Sequence, residues 1–173
     1  MKMSRTLLMA TAIIALAACS KKPPAELPPA PGGTDTSMPS GPMTPTGPVK
    51  GSQEDFVASV ASDRILFALN EYDIDAQDQA TLQSQAAWLQ QNPAVRVTIE
   101  GHADERGTRE YNLALGARRA SAVRNYLVSR GVSADQLQII SFGKERPLEV
   151  CSQETCYSKN RRAVTVISSG LTG

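Results

Sequence analysis

From about residue 54 onward, hydrophobic and polar positions recur with periods that define six elements. After Arg64, the apolar residues Ile65, Phe67 and Leu69 occupy alternate positions, the period of a half-buried strand. Asp75 stands where a helix cap is needed. The stretch from there to about Gln91 places Leu82, Ala86 and Leu89 on one helical face. Asn92-Pro93 ends it, because proline cannot continue the ladder. Val95, Val97 and Ile99 alternate with Arg96, Thr98 and Glu100, which predicts a second strand. Gly101 to Gly107 reads as a polar loop. Thr108 can cap a long second helix to about Ser129, closed by Gly131. Leu137 to Phe142 and Arg162 to Ile167 read as the third and fourth strands. The predicted order is β-α-β-α-β-β. Two amphipathic helices then cover one face of a four-stranded sheet, a two-layer α/β sandwich.

The region before residue 54 has a different pattern. Leu7 to Ala18 is apolar and uncharged, preceded by Lys2 and Arg5. It is too short to span a bilayer, which needs roughly 20 apolar residues, and it fits an export signal over residues 1–18. It ends in Leu16-Ala17-Ala18-Cys19, which resembles the bacterial lipobox. That resemblance implies lipidation of Cys19, with Ser20 after it implying sorting to the outer membrane. More than one acyl chain anchors stably where a single chain binds marginally. Residues 20–52 carry nine of the eleven prolines and five of the twelve glycines, and no aromatic residue. Such a stretch cannot bury enough apolar surface to order itself. We expect residues 19–53 to be a disordered tether and residues 54–173 to form the folded domain.

Composition narrows the function classes. The 173 residues carry 18 basic and 17 acidic side chains, a net charge of +1. That balance argues against nucleic acid as a partner. One histidine and three cysteines make a metal cluster unexpected. No Gly-x-Gly-x-x-Gly follows a strand, so no nucleotide cofactor is indicated. A porin-type barrel is not expected, because no set of alternating strands precedes the domain. Export places Cys151 and Cys156 in an oxidising compartment, and their close spacing predicts a local disulfide of modest stabilising effect.

The second helix holds the most informative anomaly. Tyr111, Leu115, Ala122, Val123 and Tyr126 fall on one stripe, and Arg119 lies near its middle. An inward arginine needs partners. The preceding loop offers Asp104 and Glu105. Two arrangements fit: a structural Arg–carboxylate bridge, or a polar pocket. A pocket with one carboxylate and one guanidinium complements a zwitterion, the ammonium and carboxylate of an amino-acid head. Asn70, expected at the end of the first strand, adds a neutral hydrogen-bonding group. His102 suggests catalysis or metal binding at first sight. It lacks both a nucleophile–base set and further ligands, so a hydrogen-bonded loop imidazole is expected. Arg161-Arg162 reads either as a solvated strand start or as one arginine packed near the pocket.

The run Gly101-His102-Ala103-Asp104-Glu105-Arg106-Gly107-Thr108-Arg109-Glu110-Tyr111-Asn112, with Arg118-Arg119-Ala120 and Asn160-Arg161-Arg162-Ala163-Val164, closely resembles the OmpA-like peptidoglycan-binding domain. With lipobox and tether, the whole chain resembles the lipoprotein branch of that family. The resemblance implies non-enzymatic, non-covalent binding of meso-diaminopimelate in the peptidoglycan stem peptide. Asp104 and Arg119 fall on the family's binding positions, and Arg106 on a further ligand contact. The usual Phe-Asp of the first loop is Leu69-Asn70 here. The family further implies an outer-membrane location, with the domain in the periplasm. It also implies a partner, the TolB propeller of the Tol system, and a role in envelope integrity and cell division. The competing expectation is a periplasmic cell-wall-modifying enzyme using His102, Asp104 and Glu105.

Overall fold

The structure, a computed structural model, describes residues 47–169; the export signal, Cys19 and most of the Pro/Gly-rich stretch lie outside the described residues. The elements are α1 (Gln53–Ser59), β1 (Arg64–Leu66), α2 (Ala76–Gln91), β2 (Arg96–His102), α3 (Arg109–Ser129), a 3-10 turn (Ala134–Gln136), β3 (Leu137–Gly143), α4 (Glu154–Asn160) and β4 (Arg162–Ser169). The sheet order is β1-β4-β2-β3. β2 and β3 run parallel, and β4 runs antiparallel to both β1 and β2.

The two long helices start where the sequence places their caps. Asp75 accepts from the Asp78 N–H at 2.8 Å, and Asp78 reaches back to the Asp75 N–H at 3.4 Å, a reciprocal capping box. The Thr108 hydroxyl accepts from the Tyr111 N–H at 3.2 Å. Leu82, Ala86 and Leu89 of α2 and Ala120, Val123 and Leu127 of α3 meet Ile65, Val97, Ile99, Leu137 and Ala163 of the four strands. Leu82, Leu89 and Leu127 have no exposed surface, and each contributes roughly 1.5–3 kcal/mol by leaving water.

Three features depart from the sequence expectation. β1 is only three residues long, and Leu69 is exposed. The chain leaves the sheet after Phe67, whose N–H still donates to the Arg161 carbonyl at 2.9 Å, and it turns through Leu69-Asn70. Asn70 therefore stands in a turn and not at a strand end. Two short helices, α1 and α4, are additional. α1 packs Phe56 edge-on against Trp88, with ring centroids 5.0 Å apart. The buried stripe of α3 runs through Asn112, Leu115, Gly116, Arg119, Ala120, Val123 and Leu127. Tyr111 lies outside it, exposed.

One close approach positions the functional end of the molecule. A Cβ added to Gly101 of β2 would lie 1.8 Å from the Gly116 carbonyl oxygen of α3. A Cβ on Gly116 would meet the Ser141 hydroxyl at 2.4 Å. Helix and strand backbones therefore touch directly, which fixes the connecting residues 103–108 at the end of the sheet.

Candidate functional site

Asp104 follows β2 at that end. Its neighbour Ala103 donates to the Gly143 carbonyl at 2.8 Å, prolonging the β2–β3 contact. Asp104 Oδ1 accepts from the Arg106 backbone N–H at 3.1 Å, so the side chain closes its own turn. Asn112, buried at the start of α3, donates to the Arg106 carbonyl at 2.8 Å and holds the loop from behind.

The Asp104 carboxylate is 5% exposed and takes two guanidinium groups. Arg106 Nη2 lies 2.6 Å from Oδ2 and Arg106 Nε 3.2 Å from Oδ1, while Arg161 Nη1 lies 3.3 Å from Oδ2. Burial by itself would raise the pKa of this carboxyl. The Arg106 side chain and N–H and the Arg161 guanidinium outweigh burial and hold it below its ordinary value.

Arg119 has no exposed surface. Its Nε donates to the Glu71 carbonyl at 2.8 Å, Nη1 to the His102 carbonyl at 2.8 Å and Nη2 to the Ala68 carbonyl at 3.1 Å. The Phe67 ring centroid lies 5.1 Å from its Cζ. Burial, and then the nearby Arg161 charge, lower its pKa to about 10, so it stays a cation at neutral pH. The bridge to Asp104 or Glu105 that the sequence offered as one arrangement is not formed. Arg119 is satisfied by backbone carbonyls, and Asp104 by Arg106 and Arg161. Three of the five guanidinium N–H groups of Arg119 are thereby used, and two remain.

Asp104, Arg106, Arg119, Arg161 and Asn70 line a common cavity of about 30 Å³, with Asn112 and Leu115. Asn70 sits at its rim with φ of 60°, a left-handed conformation that asparagine tolerates better than most residues. Its Oδ1 accepts from the Tyr111 hydroxyl at 3.1 Å. The cavity is the size of roughly one water molecule. An amino-acid head enters only if Arg106 moves, since its side chain, 40% exposed, is the outermost of the groups on Asp104. Two larger grooves elsewhere, of about 580 and 520 Å³, contain no buried charged side chain.

The outer side of the site is α4. Arg161 is 5% exposed, and its Nη2 lies 2.5 Å from Glu154 Oε1. Its Nε donates to the Phe67 carbonyl at 2.9 Å. Arg106 Cζ stacks 4.4 Å from the centroid of the Tyr157 ring. Arg106 Nη2 is 3.6 Å from Glu154 Oε2. The Tyr157 hydroxyl donates to Glu105 at 3.1 Å. Cys151 and Cys156 form a disulfide across the first turn of α4. Of the Arg161-Arg162 pair, Arg161 is the one at the site.

His102 behaves differently from expectation. It lies in β2, is 1% exposed, and neither ring nitrogen has a hydrogen-bond partner. Its ring faces Phe142 at 5.6 Å between centroids, and Nε2 is 3.5 Å from Glu100 Oε2. Burial first, then the Arg162 and Arg146 charges, lower its pKa to about 4. His102, Asp104 and Glu105 therefore share no hydrogen bond on which an acid–base pair could be built. Among the described residues no group of three or more His, Cys, Asp or Glu side chains could hold a metal ion. No described helix is long and apolar enough to cross a membrane.

A family model described as the OmpA family matches residues 66–161, which include Asn70, Asp104, Arg106, Arg119 and Arg161. A protein from Rhizobium meliloti (strain 1021) named peptidoglycan-associated lipoprotein is 60% identical over 117 residues. The match covers 68% of this chain and 66% of that protein, just under two thirds of its length. A protein of the same name from Brucella melitensis is 54% identical over 134 residues, 78% of this chain and 76% of its own. Among solved structures, the peptidoglycan-associated lipoprotein of Burkholderia pseudomallei aligns with a TM-score of 0.61 at 42% identity. That alignment covers 62% of this chain and 91% of that one. The C-terminal domain of MotB from Helicobacter pylori, with a TM-score of 0.58 at 24% identity, shares the fold over 62% of this chain and 84% of that one.

Proposed function

We propose a function on the premise that this chain belongs to the OmpA family and is one of its peptidoglycan-associated lipoproteins. The domain binds peptidoglycan non-covalently, without turnover, through the meso-diaminopimelate of the stem peptide. Lipid on Cys19 anchors it to the outer membrane, and the chain between Cys19 and the Ser52 cap of α1 lets it reach the wall; Gln53, expected in the tether, is the first residue of α1. Complex formation with TolB and a part in envelope integrity and cell division follow from the same premise.

The observation that carries this reading is a buried carboxylate and a buried guanidinium that line one cavity without pairing with each other. Asp104 is held by groups that can be exchanged, and Arg119 keeps two unused N–H groups. The side-chain end of diaminopimelate carries an ammonium and a carboxylate on one carbon. Its ammonium takes the place of Arg106 on Asp104, and its carboxylate accepts from Arg119. The surroundings favour a net-neutral zwitterion over a cation. Arg106 and Arg161 share Asp104 and Glu154, while Arg119 forms no ion pair with a carboxylate. A lysine-type stem peptide offers the ammonium alone and leaves Arg119 without a carboxylate.

Calorimetric titration with diaminopimelate-type and lysine-type muropeptides tests the assignment. The diaminopimelate form should bind at least about tenfold more tightly, the worth of one charge-assisted hydrogen bond. Equal affinity for the two peptides would remove the ground for assigning a zwitterion to this cavity.

A further inference from the structure

The unliganded site is already occupied, and its occupant needs somewhere to go. Arg106 covers Asp104, so a ligand ammonium reaches the carboxylate only by displacing it. A displaced guanidinium left without a counter-charge would oppose binding. Two groups of α4 already stand within reach of Arg106. Glu154 Oε2 is 3.6 Å from its Nη2, and the Tyr157 ring centroid is 4.4 Å from its Cζ. Both belong to a helix that cannot hold itself. α4 has seven residues, and its N-cap residue Gln153 makes no side-chain hydrogen bond. Isolated helices of that length are not stable in water. Its far end is fixed by Asn160, 2% exposed, whose Oδ1 accepts from the Leu148 and Glu149 N–H groups at 2.7 and 3.0 Å. Its near end, which carries Glu154, is fixed by the Cys151–Cys156 disulfide.

We infer that α4, closed by the Cys151–Cys156 disulfide, is the landing place onto which Arg106 withdraws when a ligand ammonium takes Asp104, with Glu154 and Tyr157 as its positioning residues. This rests on the function proposed above and assigns to the outer wall a role in setting its affinity. Arg106 then alternates between two carboxylates. Asp104 holds it in the empty site, and Glu154 with the Tyr157 ring holds it in the filled one. Losing the disulfide frees the Glu154 end of α4 and weakens the second position while leaving the first intact. Ligand binding weakens accordingly.

The test is calorimetry of a diaminopimelate-type muropeptide with the detergent-solubilised full chain. It compares wild type with Glu154→Gln, Tyr157→Ala and the double variant Cys151→Ser/Cys156→Ser. Each is made with Arg106 intact and again with Arg106→Ala. With Arg106 present, each change should weaken binding by about three- to tenfold. With Arg106→Ala, the same changes should have no further effect, because the group they receive is gone. Glu154→Gln keeps the shape of a side chain that is 64% exposed, so it reports on charge without threatening the fold. Circular dichroism checks the cysteine variant. Equal affinities across the set, or losses that persist undiminished with Arg106→Ala, would overturn the inference while leaving the proposed function standing. A wild type that does not bind the muropeptide would instead end the proposed function.

Discussion

The two sides of the site are built on opposite principles. The inner side is centred on the fully buried Arg119 and held by backbone. Gly101 and Gly116 bring strand and helix into direct contact, and Arg119 ties the carbonyls of Ala68, Glu71 and His102 into one knot. The outer side is half exposed and held by exchangeable charges, with Arg106 shared between Asp104, Glu154 and the face of Tyr157. Fixed donors preorganise a site, and a movable cover keeps its buried carboxylate compensated until a ligand arrives. Mutations on the inner side should therefore act first on stability, and those on the outer side on affinity.

The harshest way to break this contrast is Arg119→Ala. It orphans the buried His102 carbonyl, removes the donor from the Ala68 and Glu71 carbonyls and empties a fully buried space, so thermal unfolding should show a loss of about 3–5 kcal/mol. A melting temperature close to wild type would show that the inner side is not held as described. Next comes acid. His102 is neutral in the fold because burial, with Arg162 and Arg146, depresses its pKa from 6.5 to about 4. The unfolded chain binds the proton more readily, so this contribution is complete above about pH 6.5 and drains away as pH falls towards 4, by about 3 kcal/mol. His102→Leu should flatten that slope in urea titrations run across the range. A slope that survives the substitution would assign it to other groups.

Where the two sides meet, Asp104→Asn keeps the shape and removes the charge. We expect roughly tenfold to hundredfold weaker muropeptide binding, corresponding to about 1.5–3 kcal/mol for a charge-assisted bond. Melting should fall too, because Asp104 is buried and paired with Arg106 and Arg161, but by less than with Arg119→Ala. A variant that melts early and binds normally would move Asp104 to the structural side of the contrast. The smallest effect belongs to Arg109–Glu145, an ion pair at 3.2 Å with side chains 63% and 46% exposed. Glu145→Gln should alter stability by less than about 0.5 kcal/mol and leave binding unchanged. Any larger shift would mean that exposed charges near the loop are coupled to the site.

The legible part of the fold was the part with long periods and strong caps. Asp75 and Thr108 announce α2 and α3, and Val95, Val97 and Ile99 announce β2. The short helices were not legible. Seven residues do not complete two turns of a stripe, and Gln153 gives α4 no capping signal. Alternation extended β1 too far, because Leu69 continues the period while Asn70 has already turned. At the site, an inward Arg119 is visible from helical spacing, but its partners are carbonyl oxygens, which every residue has. The contact between Arg161 and Asp104 bridges 57 positions, and no local pattern encodes it. Gly101 and Gly116 gave no warning either, because small residues are common in helices and loops for many reasons.

The position of α1 bears on how the domain would respond to tension. The helix precedes β1 in the chain and rests on α2 through Phe56 and Trp88, with one hydrogen bond from the Ile167 N–H to Gln53 at 2.7 Å. A pull arriving from the N-terminal direction loads these few contacts before it reaches the β1–β4 pairing. Unwinding the seven residues of α1 lengthens the chain from 1.5 Å to roughly 3.4 Å per residue, about 13 Å in all. α1 therefore takes such a load first, and its anchor Phe56, a fully buried member of the core, sets the resistance it offers.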